Sequence, residues 1–301
     1  TCRNCESTCP SGVQYGHLVD IGRKIVEAKV PRPAGERAVR WLLREGLTSP
    51  LFGTAMALGK AVRPLLPATL ADKVPGASHP RARQWPTKDR PRKMLMLTGC
   101  VQPAMLPNIN AATARVLDAA GIQVVVAPKA GCCGALRTHL NDHDGGLADM
   151  RRNIDAWWPL VEAGTVEAIV MNASACGVQV KDYGHALAHE PPYADKAARI
   201  SGLTRDLSEL LPEIVATLKP RMADAQPGSL AFHPPCTLQH GQQLRGGVEQ
   251  GLRALGFQVA VAANEAHLCC GSAGTYSVLQ PELSHQLRDR KLLNLAELNP
   301  T

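Results

Sequence analysis

KAGCCGAL, residues 129–136, is the stretch whose reading decides the fold, because it has a twin in EAHLCCGSAG, residues 265–274. Working outward, each twin follows a short apolar run rich in β-branched residues, IQVVVAP (122–128) and FQVAVAA (257–263), which reads as a strand. Ahead of each run lies a helical pattern closed by glycine, NINAATARVLDAAG (108–121) and GGVEQGLRALG (246–256). Ahead of each helix is a second buried-strand run ending in a single cysteine, KMLMLTGC (93–100) and SLAFHPPC (229–236). Strands that alternate with helices pair in parallel, which predicts an α/β unit with helices flanking parallel sheets. The interval from Cys100 to Cys236 matches that from Cys132 to Cys269 with a mismatch of a single position, so the unit is duplicated. In the first copy a charged helix over about 140–163 and a further strand, VEAIVMNASAC (166–176), lead to Cys176.

In each copy the cysteines are expected at the carboxyl ends of parallel strands, where an open α/β sheet forms its ligand crevices. Neighbouring residues of a regular strand face opposite ways, whereas a glycine lets the backbone bend until adjacent thiols face one site. Soft thiolates gathered in this way suit iron-sulfur clusters or zinc, and the plainer alternative is a pair of buried structural cysteines.

The chain begins TCRNCESTCPSG (1–12), in which Cys2, Cys5 and Cys9 are spaced C-x2-C-x3-C-P. That is the last three quarters of the bacterial ferredoxin run, in which the fourth cysteine serves the other of two clusters. Cys2, Cys5 and Cys9 are therefore candidate iron ligands of 4Fe-4S clusters, with a zinc knuckle or a redox pair as the alternatives. The missing first cysteine would precede Thr1, so the chain is expected to begin inside a two-cluster ferredoxin-type module.

These residues resemble the cysteine-rich CCG family, found twice in iron-sulfur subunits of flavin-linked dehydrogenases and in heterodisulfide reductase subunits. LTGCVQP (97–103), AGCCGAL (130–136) and HLCCGSAGTYS (267–277) are similar to the glycolate oxidase iron-sulfur subunits in particular, whose ferredoxin module likewise precedes two CCG domains. The resemblance covers essentially the whole chain. It implies that Cys2 and Cys5 hold one 4Fe-4S cluster and Cys9 another. It further implies that Cys100, Cys132, Cys133, Cys176, Cys236, Cys269 and Cys270 hold an additional centre or act structurally. The implied partners are an FAD-containing glycolate oxidase subunit, a second flavoprotein-like subunit and a membrane quinone or other acceptor. The implied activity is electron transfer during oxidation of glycolate to glyoxylate. Alternatives are a thiol/disulfide subunit like that of heterodisulfide reductases and the iron-sulfur subunit of a lactate or glycerol-3-phosphate dehydrogenase. The family closes each repeat with C-x2-C, but position 173 is Ala173, which tells against a five-cysteine centre in the first copy. The closing cysteine of the second copy would fall beyond Thr301, so the chain is expected to be cut at both ends.

No Ser-His-Asp set, phosphate loop or dinucleotide fingerprint is present, and no catalytic residue is assigned. Histidines 139, 143, 233, 240 and 267 flank the cysteine loops and are read first as hydrogen-bonded residues. The expected division is 1–76, the end of the ferredoxin-type module with its following helices, then a linker over 77–92. CCG domain one follows over 93–219 and a shortened CCG domain two over 220–301. Residues 1–93 carry 17 Lys+Arg against 7 Asp+Glu, an excess suited to a solvated linker, an acidic partner or a lipid headgroup layer. With 4% aromatic residues there is no stacking platform, and nucleic acid is not an expected partner. Thiols that must stay reduced lead to an expected location in the cytoplasm, with peripheral attachment to the inner membrane face a further expectation from the basic segment.

Overall fold

A computed structural model describes residues 2–71, 74, 76, 82–222 and 227–300. The first part of the expected linker, 77–81, lies outside the described residues. By packing the chain divides into two units, one made of Thr1–Val30, Ala173–Val178 and Arg205–Thr301, the other of Pro31–Asn172 and Gln179–Thr204.

The chain starts with helices, as expected of this end. The short α1 (Asn4–Thr8) carries Cys5, and α2 (Tyr15–Lys29) follows. The α2 stripe of Leu18, Ile21, Ile25 and Val26 has the predicted helical spacing, but all four are exposed. Next come α3 (Ala34–Thr48), α4 (Phe52–Val62), a 3₁₀ turn (Arg63–Leu65) and α5 (Ala68–Ala71). Pro64 ends α4, since its ring removes an N–H and fixes φ.

The first repeat runs β1 (Arg92–Met96), α6 (Gln102–Met105), α7 (Pro107–Ala119), β2 (Ile122–Val125), α8 (Ala135–His139), α9 (His143–Glu162) and β3 (Ile169–Met171). Then follow α10 (Ser174–Lys181), α11 (Tyr183–Ala186), α12 (Ala194–Leu203) and β4 (Thr204–Asp206). The sheet order is β2-β1-β3-β4, with Arg92 opposite Ile122 and Leu95 opposite Ile169 in parallel pairs. Local chemistry explains the boundaries. Pro107 starts α7 where an N–H has no partner to lose. Gly121, at φ 85°, takes the left-handed turn into β2. Asp142 caps α9 by accepting from the Gly145 N–H at 3.2 Å. The core is built from Leu95, Leu117, Ile122, Ile154, Trp157, Ile169 and Tyr183, all fully buried. Trp157 is thus a core residue. The ring of Trp158 lies under the Lys196 ammonium, 5.4 Å away.

The second repeat follows α13 (Leu211–Leu218) and repeats the order β5 (Ser229–Phe232), a π turn (Thr237–Gly241), α14 (Gly247–Ala254), β6 (Gln258–Val261), α15 (Tyr276–Leu279) and α16 (Pro281–Ala296). β5 and β6 pair in parallel, Ser229 opposite Gln258 and Phe232 opposite Val261. Parallel sheets flanked by helices therefore bear out the α/β class.

Two expectations about strand ends need correction. Cys100 and Cys236 do not end their strands, because β1 stops at Met96 and β5 at Phe232. Cys176 is on a helix rather than at the end of a strand: β3 stops at Met171, and Asn172 turns its amide to Asn110 Oδ1 (2.8 Å) and Thr113 Oγ1 (3.0 Å) before α10 begins. A polar side chain with buried partners outweighs continuation of so short a strand there.

Candidate thiol sites of the two repeats

In the first repeat Cys132 and Cys133 leave β2 on a loop that Gly134 bends at φ 91°. The Gly134 N–H donates to Cys132 Sγ at 3.4 Å. The Cys132 sulfur also lies within bonding reach of the Cys100 and Cys133 thiols. These contacts, Cys100 first, hold it well below the usual thiol value against the opposing effect of burial. A methyl group at position 134 would meet the Gly146 carbonyl oxygen at 2.8 Å, so both φ and space require glycine.

The loop is gripped from α9 and α11. Asn153, fully buried, accepts from the Gly131 N–H (2.8 Å) and donates to the Cys132 carbonyl (2.7 Å) and the Tyr183 hydroxyl (3.1 Å). Tyr183 in turn donates to the Cys133 carbonyl at 2.9 Å. Asp149, one turn earlier on α9, is raised to about 6 by burial first and then by the Cys132 charge. Arg137 on α8 collects carboxylates from several elements: Glu45 of α3 in a fork at 2.8 and 3.0 Å, and Asp142 at 2.6 Å.

In the second repeat Gly271 (φ 81°) makes the same turn, and its N–H donates to Cys269 Sγ at 3.4 Å. A methyl group there would collide with the Ser284 carbonyl of α16, and Ser284 Oγ donates to the Gly271 carbonyl at 3.0 Å. The Cys236 thiol is pushed up to about 12 by burial, then by the nearby Cys269, Cys2 and Cys270. One unit therefore brings Cys2 of the N-terminal motif to the thiols of the second repeat. Cys176 belongs to that same packing unit, where Ser174 Oγ meets Thr237 Oγ1 at 2.6 Å. The Cys9 thiol is lowered by backbone N–H groups of Val13 and then Ser11. Cys5 is exposed.

Among the described residues no set of three His, Cys, Asp or Glu side chains is already closed at metal-holding geometry. The donor set nevertheless fits an iron-sulfur centre. Each repeat by itself offers soft sulfurs near one another, with a backbone N–H aimed at Cys132 in the first and at Cys269 in the second, the kind of hydrogen bond that tunes cluster potentials. His233 adds a buried Nε2 with no partner beside the Cys236 loop.

The cysteine-rich domain family, CCG, matches residues 94–181 and 230–301, the two repeats just described. The chain belongs to the CCG family, among the glycolate oxidase iron-sulfur subunits. It is 50% identical over 301 residues, 100% of this chain and 72% of the relative, to the glycolate oxidase iron-sulfur subunit of Escherichia coli (strain K12). It is 28% identical over 320 residues, 97% of this chain and 70% of the relative, to the probable glycolate oxidase iron-sulfur subunit of Bacillus subtilis (strain 168). It is 24% identical over 213 residues, 68% of this chain and 83% of the relative, to lactate utilization protein A of Geobacillus thermodenitrificans (strain NG80-2).

Some residues of this CCG chain that matter to the site escaped the sequence reading. Asn153 and Tyr183 carry no motif. The available signal was a polar side chain on the buried stripe of α9, between Met150 and Trp157. Lys291 is likewise buried on α16, its Nζ donating to the Glu265 carbonyl at 2.6 Å. Among the described residues no helix is long and apolar enough to cross a membrane.

Proposed function

We propose that this chain is the iron-sulfur electron-transfer subunit of a flavin-linked glycolate, or related 2-hydroxy acid, dehydrogenase. Electrons would arrive singly from FAD on a partner subunit and leave for a membrane quinone or another acceptor. The observation that carries the reading is the twice-built thiol turn, in which a left-handed glycine donates its N–H to the first sulfur of a Cys-Cys pair. Such a turn presents sulfur, the ligand of one-electron carriers, and the proposal places the substrate chemistry on the flavoprotein. When bound, 4Fe-4S clusters supply one-electron storage. Cys2, Cys5 and Cys9 would hold the ferredoxin-type clusters, with Cys100, Cys132, Cys133, Cys176, Cys236, Cys269 and Cys270 available to a further centre. The protein's own part is to bury these sulfurs and direct N–H groups at them.

The division into 1–76, 77–92, 93–219 and 220–301 belongs to the same proposal. So does a cytoplasmic location at the inner membrane face, although part of the basic segment is engaged within the fold. Arg90 pairs with Asp118 at 2.8 Å and Arg92 with Glu167 at 2.7 Å. Iron and acid-labile sulfide per chain, measured on the full-length protein purified without oxygen together with electron paramagnetic resonance, test the function. Iron beyond two cubanes supports a centre in the repeats, and two cubanes alone would leave the repeats structural. An iron-free preparation whose flavoprotein companion still reduces its acceptor would overturn the reading.

A further inference from the structure

The N-terminal cysteine turn is packed onto one repeat. Within its unit, α1 lies against the π turn Thr237–Gly241 that directly follows Cys236. Between them runs a side-chain bond, Ser7 Oγ to His240 Nδ1 at 2.8 Å. Ser7 stands midway between Cys5 and Cys9, and His240 is only 4% exposed. The Ser7 hydroxyl also lies 3.1 Å from the Asn4 carbonyl in the turn of α1, and His240 Nε2 is buried without a partner. Burial first, then Arg245 and His267, hold the imidazole below its usual value, in keeping with a neutral ring.

We propose that Ser7 and His240 form a strut that fixes the ferredoxin-type cysteine turn to the second CCG repeat, making that repeat the redox neighbour of the turn and His240 a positioning residue for electron transfer. Proximity of Cys2 to the thiols of Cys236, Cys269 and Cys270 follows from the same packing. The electron-transfer part rests on the function proposed above, whereas the strut itself does not.

The test uses the full-length subunit, purified without oxygen in complex with its flavoprotein partner, as parent, Ser7→Ala, His240→Ala and His240→Asn. Amide exchange over Asn4–Thr8 reads the strut whether or not iron is present. Loss of one such hydrogen bond should speed it about fivefold in Ser7→Ala and His240→Ala, and the amide of His240→Asn should restore much of the protection. Redox titration with paramagnetic resonance reads the consequence. At unchanged iron content, both alanine variants should shift the potential of the ferredoxin-type centre and alter its magnetic interaction with a second centre. Unchanged exchange in Ser7→Ala, the variant least able to disturb folding, would overturn the strut. Faster exchange with an unchanged potential and unchanged interaction would overturn the positioning role. A parent without iron would instead overturn the function on which that role rests.

Discussion

The two repeats share one turn and differ in what grips it. Gly134 and Gly271 adopt the same left-handed conformation, send an N–H to the sulfur two residues back, and press their α-carbons against the backbone of the second helix after the turn, α9 and α16. Around that common element the first repeat closes a neutral network, Asn153 and Tyr183, over a buried cysteine pair. The second uses a buried lysine on the Glu265 carbonyl and leaves its pair partly exposed. The difference teaches that the thiol turn needs its glycine geometry, while the supporting shell is free to change from amide to ammonium.

The largest expected effect breaks the shared part. Gly271→Ala should destabilise the second repeat by about 3 kcal/mol or more, since a left-handed alanine and a collision with the backbone act together. Gly134→Ala should cost somewhat less, because its clash with Gly146 is milder. Denaturant midpoints measure both; a shift in neither would refute the glycine requirement, and a shift in only one would refute the equivalence of the two turns.

The second prediction sharpens the unshared part. Asn153→Ala leaves the Gly131 N–H and the Cys132 carbonyl without their partner and should cost about 2 to 3 kcal/mol. Lys291→Met, which removes a buried charge while keeping its shape, should stay within about 1 kcal/mol of the parent. Equal losses in chemical unfolding would mean that the two grips do the same job.

A third, smaller effect concerns an anchor in the first repeat's unit, the Arg137 fork on Glu45. Arg137→Ala should cost about 1.5 kcal/mol and release α3, read as faster amide exchange over Ala34–Thr48. The smallest effect is its pH dependence. Bonding to Arg137 holds the Glu45 carboxyl below its ordinary value against a little burial, and Asp142 is lowered despite burial by Arg137 as well. A depressed carboxylate stabilises the fold above its unfolded pKa and loses that contribution as pH falls through the folded value. Protection of α3 should therefore weaken on acidification below about pH 4, and Arg137→Ala should flatten the profile.

Much of this was legible in the residues because it is local. Spacing alone revealed the duplication, the parallel strands and the glycine after each cysteine pair, since apolar periodicity and the φ > 0 requirement are written into short windows. The exposed apolar stripe of α2 shows the limit of such reading: periodicity identified the helix but not whether its face is covered. Strand ends were placed too late, at Cys100 and Cys236 instead of Met96 and Phe232, because polar and proline-rich loops separate strand from thiol.

By itself, the order of amino acids determined which sulfurs exist, how they are grouped and which backbone turns present them, because each of those is settled within a short window of chain. Only the tertiary structure decided that Cys2 sits with Cys236, Cys269 and Cys270, that Cys176 packs in the second repeat's unit, and that Asn153 and Lys291 hold the loops. Those facts depend on which surfaces bury one another across long stretches of sequence, and no short-range pattern encodes that choice.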